Sequence, residues 1–321
     1  MLAFLARRLA LGLLVMWLVT VIVFVIFYIG PGPADVARAL AGRDAPPSTV
    51  ALIAHRLLLD RPWYVQYGHF AWGLVHGNLG YDYFHDEPVA SIVAQGVPIT
   101  LSLIVGAAPL WLLLGVLSGV NSAQRPRSLR DRFFTTLALF FYSTPTFVLG
   151  VLLILILYYQ LTIHGIALFP GSGFTPLTQS PLGWFRGLVL PWLTLALVTA
   201  ATYTRLTRSS MLDVLGEDYV RTARAKGLSE GRVVYRHGLR AALTPIMTQF
   251  GIDVGTLVGG AVITEQVFGL PGLGWTAVHA IQEQDLPVII GIVIVASAAV
   301  VVCNIVVDAL YALVDPRVRL H

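Results

Sequence analysis

The sequence predicts an all-α integral membrane protein with six transmembrane helices, and three observations support this fold class. Of the 321 residues, 56% are hydrophobic and only 12% are charged, whereas a soluble domain carries about a quarter charged residues. Six apolar runs are each close to the length of a helix that crosses a bilayer, about 20 residues. The arginines and the single lysine collect in the segments between these runs. Runs of this length favour helices over a β-barrel, whose strands are shorter.

The six spans are assigned in chain order from these apolar runs. They cover residues 9–29, 97–120, 133–159, 188–204, 244–264 and 288–313. The first run is followed by Pro31-Gly32-Pro33 and by no small-x-small cleavage site, so an uncleaved span is expected and not a signal peptide. The third run is interrupted at Ser143-Thr144-Pro145. A long polar and aromatic segment follows the first span, so the chain divides into residues 1–95 and a five-span core of residues 96–321.

The distribution of basic residues predicts the orientation in the membrane. With both termini cytoplasmic, sixteen of the 21 Arg and Lys residues lie in cytoplasmic segments and five lie in external ones. Loops rich in Arg and Lys stay on the cytoplasmic side, so this excess supports six spans with both ends inside. The long segment after the first span is then extracytoplasmic.

Composition also narrows the classes of function. The single cysteine, Cys303, lies in an apolar run, so neither a disulfide framework nor a cysteine-based metal site is expected. Four histidines of the external segment are spaced too irregularly for a compact metal site, and surface positions are expected for them. They are His55, His69, His76 and His85. The basic residues sit in short loops, so no nucleic-acid partner is expected. No phosphate-binding loop of the form G-x-x-x-x-G-K-[ST] occurs.

The longest charged segment runs from Glu217 to Pro245, between two predicted spans. Helix-forming residues continue to Lys226, and Gly227 can adopt the left-handed conformation that ends one helix before another begins. Such a helix-glycine-helix is too polar to span a membrane and is expected at its surface. The residues alone leave two interpretations open: a docking surface for a partner, or an amphipathic hairpin resting on anionic lipid.

A resemblance separates these two interpretations. The stretch YVRTARAKGLSEGRVVYRHGLRAALTP resembles the cytoplasmic "EAA" loop of ABC-importer permeases, in the form found in the dipeptide/oligopeptide and nickel uptake family. The match is specific at Ala223, at Gly227 and in the spacing to Pro245, although Arg221 and Thr222 stand where the general pattern has Glu and Ala. The resemblance implies a loop of about residues 213–243 that couples the permease to an ATPase subunit. Its coupling residues are then Tyr219, Arg221, Ala223, Lys226, Gly227 and Leu228.

The resemblance extends over essentially the whole chain. It includes the Gly-Leu-Pro-Gly-Leu-Gly hairpin before the last span and the terminal Asp315-Pro316-Arg317, and Asn78 replaces the usual Asp of an external motif. It implies a permease subunit in a bacterial plasma membrane that is not an enzyme by itself and binds no cofactor. ATP and Mg would be bound by one or two partner ATPase subunits. A second permease and an extracytoplasmic substrate-binding protein complete the expected complex, and dipeptides, longer peptides, nickel or haem-like ligands all remain possible cargo.

The fifth predicted span carries two stripes at helical spacing. Gly251, Gly255 and Gly259 would allow close approach of another helix and are assigned to helix packing. The opposite stripe is polar and consists of Gln249, Asp253 and Thr256. A carboxylate at membrane depth faces a cavity or a partner and not lipid, so this stripe lines the translocation path or holds two helices together.

An intramembrane aspartyl protease is the alternative from a different class. It would use Asp253 and Asp308 as a pair of carboxyl groups that share a proton. Asp308 lies near the cytoplasmic end of its predicted span and Asp253 lies midway along its own. At about 1.5 Å of helical rise per residue, the two side chains are expected at different depths, which opposes this alternative.

Overall fold

The computed structural model describes residues 2–30, 35–38, 46–56, 58–82 and 85–314. The helices are α1 (Leu2–Phe24), α2 (Pro47–Arg56), α3 (Trp63–Val75), α4 (Val89–Gln124), α5 (Leu129–Ser143), α6 (Thr146–Leu153), α7 (Pro181–Leu215), α8 (Asp218–Ala225), α9 (Arg240–Val258), α10 (Val262–Phe268), α11 (Leu273–Glu283) and α12 (Leu286–Val314). Three further stretches are π-helical. Val25–Ile29 extends α1, Ile154–Gln160 extends α6 towards the short helix Leu161–Ile163, and Arg232–Leu239 leads into α9. Two short strands, β1 (Tyr81–Asp82) and β2 (Glu87–Pro88), pair in antiparallel register.

The predicted all-α membrane fold with six spans is confirmed. Among the described residues, five helical stretches are long and apolar enough to cross a membrane, and a bent pair of helices makes a sixth. These are Ala6–Ile29, Val89–Gln124, Thr146–Ile163, Pro181–Leu215, the bent pair Arg232–Leu257 with Val262–Phe268, and Leu286–Val306.

Two predicted spans differ from the observed helices. The third span begins at Thr146 and not at residue 133, because Thr144 is extended at φ −86° and ψ 122°. Proline disfavours helical backbone in the residue before it, so Pro145 turns the predicted interruption into a complete break. The fifth span is also broken, since α9 ends at Val258 and the chain passes through Gly260 at φ +118° before α10.

The described chain forms two compact units. One contains residues Met1–Thr100, Gly255–Val262 and Pro271–Ile305, and its core joins the start of α4 to α11 and α12. Val89, Val93, Leu273 and Ile292 are buried there. This division by packing differs from the sequence division at residues 95 and 96, because segments late in the chain return to pack with the N-terminal residues.

The polar and aromatic segment that follows α1 in this unit is anchored on the end of α1. The rings of Phe24, Tyr28, Tyr67 and Phe70 lie 5.2 to 5.9 Å apart, and the Thr20 and Tyr67 hydroxyls are 2.9 Å apart. Helix α3 therefore packs its inner aromatic side chains on α1. After α3, the Asn78 side chain accepts a hydrogen bond from the Gly80 amide at 3.0 Å and turns the chain into β1.

The other unit contains residues Leu101–Val254 and Ile263–Leu270, and the described residues from Val306 onward. Its helices α4 and α7 approach closely at Gly115 and Gly119, where an added Cβ would collide with Tyr203 and Thr207. The hydroxyls of Ser118 and Thr204 are 2.6 Å apart in the same contact. Glycines spaced four residues apart bring two helix backbones together in membranes, and here they fix α4 against α7.

Candidate functional site

The predicted coupling loop forms a compact hairpin, called here the α8 hairpin. It consists of α8, a turn at Lys226 and Gly227, and the π-helical stretch Arg232–Leu239. Gly227 has φ +76°, the left-handed conformation expected for a residue that ends a helix. Val220, Ala223 and Val233 are buried between the two arms, with Leu228 packed against them. The hairpin is thus a small folded element with an apolar interior of its own.

The predicted coupling residues divide between the interior and the surface of this hairpin. Tyr219, Arg221, Lys226 and Gly227 are exposed, whereas Ala223 faces inward and Leu228 is half-buried. The Arg224 guanidinium donates to both carboxylate oxygens of Glu230, at 3.2 and 2.8 Å, and this hydrogen bonding lowers the pKa of Glu230. The exposed surface of the hairpin carries two aromatic rings, those of Tyr219 and Tyr235, together with several cations and the turn at Gly227.

The base of the hairpin is packed on the end of α7. A Cβ at Gly238 would lie 3.2 Å from the Met211 Cε atom and 3.3 Å from the Leu215 side chain. Val120 of α4, Met211 of α7 and Val234 of the hairpin belong to one buried cluster. The base of the hairpin is therefore in direct contact with the end of α7 and shares a buried cluster with the end of α4.

A buried ion pair lies beside this base, and it is called here the Asp131 junction. The Arg208 guanidinium donates to the two Asp131 oxygens at 2.8 and 2.9 Å, and the Arg127 amide donates to the same carboxylate at 2.7 Å. The Ser122 hydroxyl also donates to Asp131. These hydrogen bonds, that of Arg208 above all, hold the pKa of the Asp131 carboxyl well below its ordinary value. The junction ties α4, the α4–α5 loop, α5 and α7 together.

Sequence reasoning missed the Asp131 junction. The one available signal was that Asp131 is the only acidic residue in a loop with four arginines, and that Arg208 follows an apolar run. Neither observation pairs two residues that lie 77 positions apart.

The polar stripe of the fifth span is brought together around Asp253. The Tyr203 hydroxyl of α7 donates to the Asp253 carboxylate at 2.8 Å, and the Gln249 amide donates to it at 2.9 Å. Asp253 is half-buried and Tyr203 is fully buried, with Trp111 packed beside the Tyr203 ring. Thr256 lies one turn further along α9 and is exposed. The Asp253 carboxylate thus has a hydroxyl partner on α7, as a residue that holds two helices together requires, and the side chain stays partly accessible.

The glycine stripe faces different neighbours at its successive positions. A Cβ at Gly255 would lie 3.4 Å from the Asn304 Oδ1 atom and 3.7 Å from Val300, and one at Gly259 would lie 3.8 Å from Ala296. Gly251 is buried. The two later glycines therefore pack against α12.

One group of His and carboxylate side chains among the described residues is close enough to hold a metal ion. It consists of Asp82, His85 and Asp285, whose ligand atoms all lie within 4.8 Å of one another. Burial raises the pKa of the Asp285 carboxyl, and the hydrogen bond to Asp82 raises the pKa of His85. Sequence analysis expected no metal site around His85, because Asp285 lies about 200 positions away in the chain.

Comparison with known protein families identifies the chain. The family described as "Binding-protein-dependent transport system inner membrane component" matches residues 111–320, and the N-terminal family of the same membrane components matches residues 1–104. The chain belongs to this transport family. Membership makes it a multi-pass permease subunit of an ABC transporter, which works with partner permease and ATPase subunits, and ATP is hydrolysed by those ATPases.

Relatives of this transport family match the chain over almost its full length. A peptide transport system permease protein of Brucella abortus (strain 2308) is 40% identical over 323 residues. The di/tripeptide transport system permease protein DppB of Pseudomonas aeruginosa (strain UCBPP-PA14) is 39% identical over 335 residues, and 99% of both chains is covered in each case. The fold is similar to a chain of the MetNI methionine ABC transporter in an inward-facing conformation, with a TM-score of 0.55 and 19% identity, covering 70% of this chain and 96% of the other.

The protease alternative has no support from these relatives. The Asp253 carboxylate is occupied by Tyr203 and Gln249, which suits a structural or path-lining carboxylate better than half of a catalytic pair. The side chain of Asp308 lies outside the described residues.

Proposed function

We propose that this chain is a peptide-importer permease whose α8 hairpin docks on an ATPase subunit and carries the movement of that subunit into the membrane helices. The observation that carries the proposal is the construction of the hairpin. Its exposed face has the cations and the two aromatic rings of a docking surface, while its base is packed on α4 and α7 through Met211, Leu215 and Val234. A hairpin that merely rested on lipid would not require this rigid attachment.

The movement is passed on through the packing at the base of the hairpin. Nucleotide-driven displacement of the ATPase pushes the α8 hairpin, and Gly238 transmits the displacement to Met211 and Leu215 at the end of α7. The Asp131 junction links α7 to α5 and to the end of α4, so these elements move as one body. The translocation path then changes between outward-open and inward-open states. Such a change requires two alternative packing arrangements of the helices and not one arrangement that deforms continuously.

Asp253 is proposed to line the translocation path together with Gln249 and Thr256. Its carboxylate is oriented by Tyr203 and is only half-buried. A carboxylate at membrane depth would attract the amino group of a peptide. Helix packing through the opposite stripe, Gly251, Gly255 and Gly259, would hold this segment in place.

The proposed cargo is a di- or oligopeptide. The support is the naming of full-length relatives, the di/tripeptide permease DppB and the glutathione permease GsiC of Escherichia coli O6:H1, the latter 38% identical over 320 residues. Nickel or haem-like ligands are the alternative cargo within the same resemblance. An extracytoplasmic binding protein would deliver the cargo to the outer mouth, with both termini of the permease in the cytoplasm, and ATP and Mg would bind one or two kinds of ATPase subunit.

Cysteine cross-linking tests the docking of the hairpin. In a Cys303→Ala background, Lys226→Cys places a thiol on the exposed turn, and Arg240→Cys places one on an exposed position at the start of α9. With a short bifunctional thiol reagent, Lys226→Cys is expected to cross-link to the co-purified ATPase subunit, and Arg240→Cys is expected not to do so. Equal cross-linking from both positions, or none from Lys226→Cys, would contradict the docking.

A second variant separates docking on the ATPase from binding to lipid. Replacing Arg221, Arg224 and Lys226 together with Gln should weaken the interaction of the hairpin with anionic liposomes if lipid is its partner. If the ATPase is the partner, the triple variant and the wild type should differ in ATPase retention on purification and not in the lipid dependence of transport. The cargo is identified separately, by mass spectrometry of the ligand retained on the binding protein.

A further inference from the structure

The Asp82–His85–Asp285 cluster is made by two segments that are distant in the sequence. Asp82 ends β1 and His85 lies in the turn that leads to β2, whereas Asp285 lies immediately before α12. All three belong to the same compact unit, and one ligand atom from each lies within 4.8 Å of the other two. None of the three residues belongs to the α8 hairpin or to the proposed path residues, so neither of those assignments explains the cluster.

Both carboxylates are buried and are held in position by backbone amides. Asp82 is 1% exposed and Asp285 is 2% exposed. The Asp82 Oδ1 atom accepts a hydrogen bond from the His85 amide at 3.0 Å, and the Asp285 Oδ1 atom accepts one from the Val288 amide at 3.3 Å. Carboxylates that ligate metals are commonly oriented by such hydrogen bonds on the oxygen that does not face the ion. The second oxygen of Asp82, Oδ2, faces the His85 imidazole, and the Asp285 carboxyl group is hydrogen-bonded to Asp82.

The imidazole supplies the third ligand atom and the route to solvent. The His85 Nδ1 atom lies 2.7 Å from the Asp82 Oδ2 atom, and the His85 side chain is 58% exposed. On its other edge, the Nε2 atom lies 3.9 Å from the Glu283 carboxylate. A cation could therefore enter from the His85 side and reach two carboxylates that water reaches poorly.

The chemical type of the ligands narrows the type of ion. One imidazole nitrogen and two carboxylate oxygens, with room for water, match the ligand sets that bind Zn²⁺ and related divalent transition metals. Ca²⁺ takes six or more oxygen ligands, and Mg²⁺ requires octahedral oxygen coordination, so a set with only two buried carboxylates suits these ions less well. Two buried carboxylates in contact also favour a bound cation, because burying like charges together is costly without a compensating charge.

We propose that Asp82, His85 and Asp285 form a binding site for a divalent transition metal of the Zn²⁺ type, which ties the β1–β2 hairpin to the start of α12. In this arrangement the metal is structural. It cross-links the external segment to the last span within one unit, and it touches neither the path residues nor the α8 hairpin. The competing interpretation is a hydrogen-bonded turn next to a helix cap, which takes no metal.

Metal content measured on matched variants tests the site. The full chain, purified in detergent with the subunits that co-purify, is stripped with a chelator, exchanged into chelator-free buffer and loaded with ZnCl₂. Zinc retained after gel filtration is then measured by mass spectrometry. His85→Ala and Asp82→Asn are compared with the wild type, and His76→Ala serves as the control, because His76 is another exposed histidine of the same segment. His85 is exposed, so His85→Ala remains informative if Asp82→Asn fails to fold.

The expected result is one fewer Zn²⁺ per chain in His85→Ala and Asp82→Asn, with wild-type content in His76→Ala. Zn²⁺ should also raise the melting temperature of the wild type and of His76→Ala, and this rise should be lost in His85→Ala. Equal zinc content in the wild type and His85→Ala would overturn the proposal and leave the hydrogen-bonded turn as the explanation. Loss of zinc in His76→Ala to the same extent would also overturn it, because binding would then be non-specific.

Discussion

The α8 hairpin and the Asp131 junction lie at the same end of α7, yet they are held together in opposite ways. The hairpin has an interior of three buried apolar side chains, Val220, Ala223 and Val233, and its charged groups pair on the exposed surface. The junction has a carboxylate that is 4% exposed and is bound by Arg208, Ser122 and the Arg127 amide. Surface ion pairs contribute little to stability, whereas breaking a buried pair is costly. One element therefore presents its charged groups at the surface, and the other uses its charged groups to keep helices together.

The largest effect is expected at the junction. Asp131→Ala leaves the Arg208 guanidinium without its carboxylate in a mostly buried site, and breaking such a pair costs roughly 3 kcal/mol. The purified protein should therefore show a clearly lower melting temperature. The packing of α4 to α7 should be lost, and this loss should precede any effect that is specific to the ATPase. Asp213→Ala, an exposed acidic position on the same helix as Arg208, is the matched control and should leave the melting temperature unchanged. Equal melting temperatures for the two variants would show that the junction does not stabilise the fold.

The same junction predicts how this loss depends on pH. The folded-state pKa of Asp131 lies below its ordinary value, so its contribution to stability is present above the ordinary value and is lost as pH falls towards the folded pKa. The difference in melting temperature between wild type and Asp131→Ala should therefore be constant from about pH 5 to pH 8 and shrink only in strong acid. A difference that changes sharply near pH 7 would assign the effect to another group.

The second effect is expected at the turn of the hairpin. A Cβ at Gly227 would meet no described heavy atom within 4 Å, so the cost of Gly227→Val comes from backbone strain alone. For a β-branched residue at positive φ this strain is roughly 1–2 kcal/mol, enough to shift the hairpin but not to unfold α7. We expect Gly227→Val to insert and pair with its sister permease but to lose ATPase subunits on purification or to lose substrate-stimulated ATP hydrolysis.

Gly227→Asn is the matched control for this prediction. Asparagine adopts the left-handed conformation at little cost, so this variant should retain ATPase content and transport. A Gly227→Val complex with full ATPase content and full transport would contradict the coupling role of the hairpin. Ala223→Asp is a less specific probe, because Ala223 is buried and a charge there would unfold the interior of the hairpin.

A smaller effect is expected at Asp253, away from both elements. Asp253→Asn can still accept the hydrogen bond from Tyr203, so assembly and ATPase content should be unchanged while peptide uptake slows. Tyr203→Phe is the companion variant, since it removes the same hydrogen bond and keeps the carboxylate. If Asp253 only holds α9 to α7, Tyr203→Phe should impair the protein more than Asp253→Asn does, and uptake by Asp253→Asn should be normal.

The smallest effect is a labelling difference that leaves transport unchanged. In a Cys303→Ala background, Leu129→Cys lies next to the junction and Thr178→Cys lies in the loop after α6, and both positions are exposed. The predicted orientation places the first inside, so it should react with an impermeant thiol reagent only after cells are opened. The second should react in intact cells. Labelling in the reverse order would place the hairpin and the junction on the outside and remove the ATPase from their reach.

The two elements also differ in how well the sequence predicts them. The hairpin was predictable because its signals are local: a charged run between apolar runs, a glycine that ends a helix, and a matching loop pattern. The junction was not, because Asp131 and Arg208 are ordinary loop and helix residues until folding brings them together. Breaks in the spans were predictable only in part. Pro145 indicated an interruption of the third span, but the helix before it ends completely. In the fifth span, the glycines predicted to pack helices include Gly259, which lies next to Gly260, where the chain leaves the helix at φ +118°.

The close contact between α4 and α7 was also missed from the sequence. Gly115 and Gly119 have the spacing that brings helices together, but the sequence analysis predicted a glycine contact only in the fifth span. The cluster at His85 was missed for a related reason, since its partner Asp285 belongs to the far end of the chain. Periodicity identifies the elements and one face of each, and the pairing of faces depends on the tertiary structure.

The π-helical stretch Arg232–Leu239 gives the link between hairpin and path a torsional property. A π-helical turn holds one residue more than an α-helical turn in the same length. Converting one such turn to α-helix would advance the following chain by one residue and twist α9 by about 100° about its axis, since an α-helix has about 3.6 residues per turn. Asp253 lies beyond this stretch and the docking turn at Gly227 lies before it. A change in the number of π-helical turns in this stretch would therefore alter the direction in which the Asp253 carboxylate faces relative to the turn at Gly227.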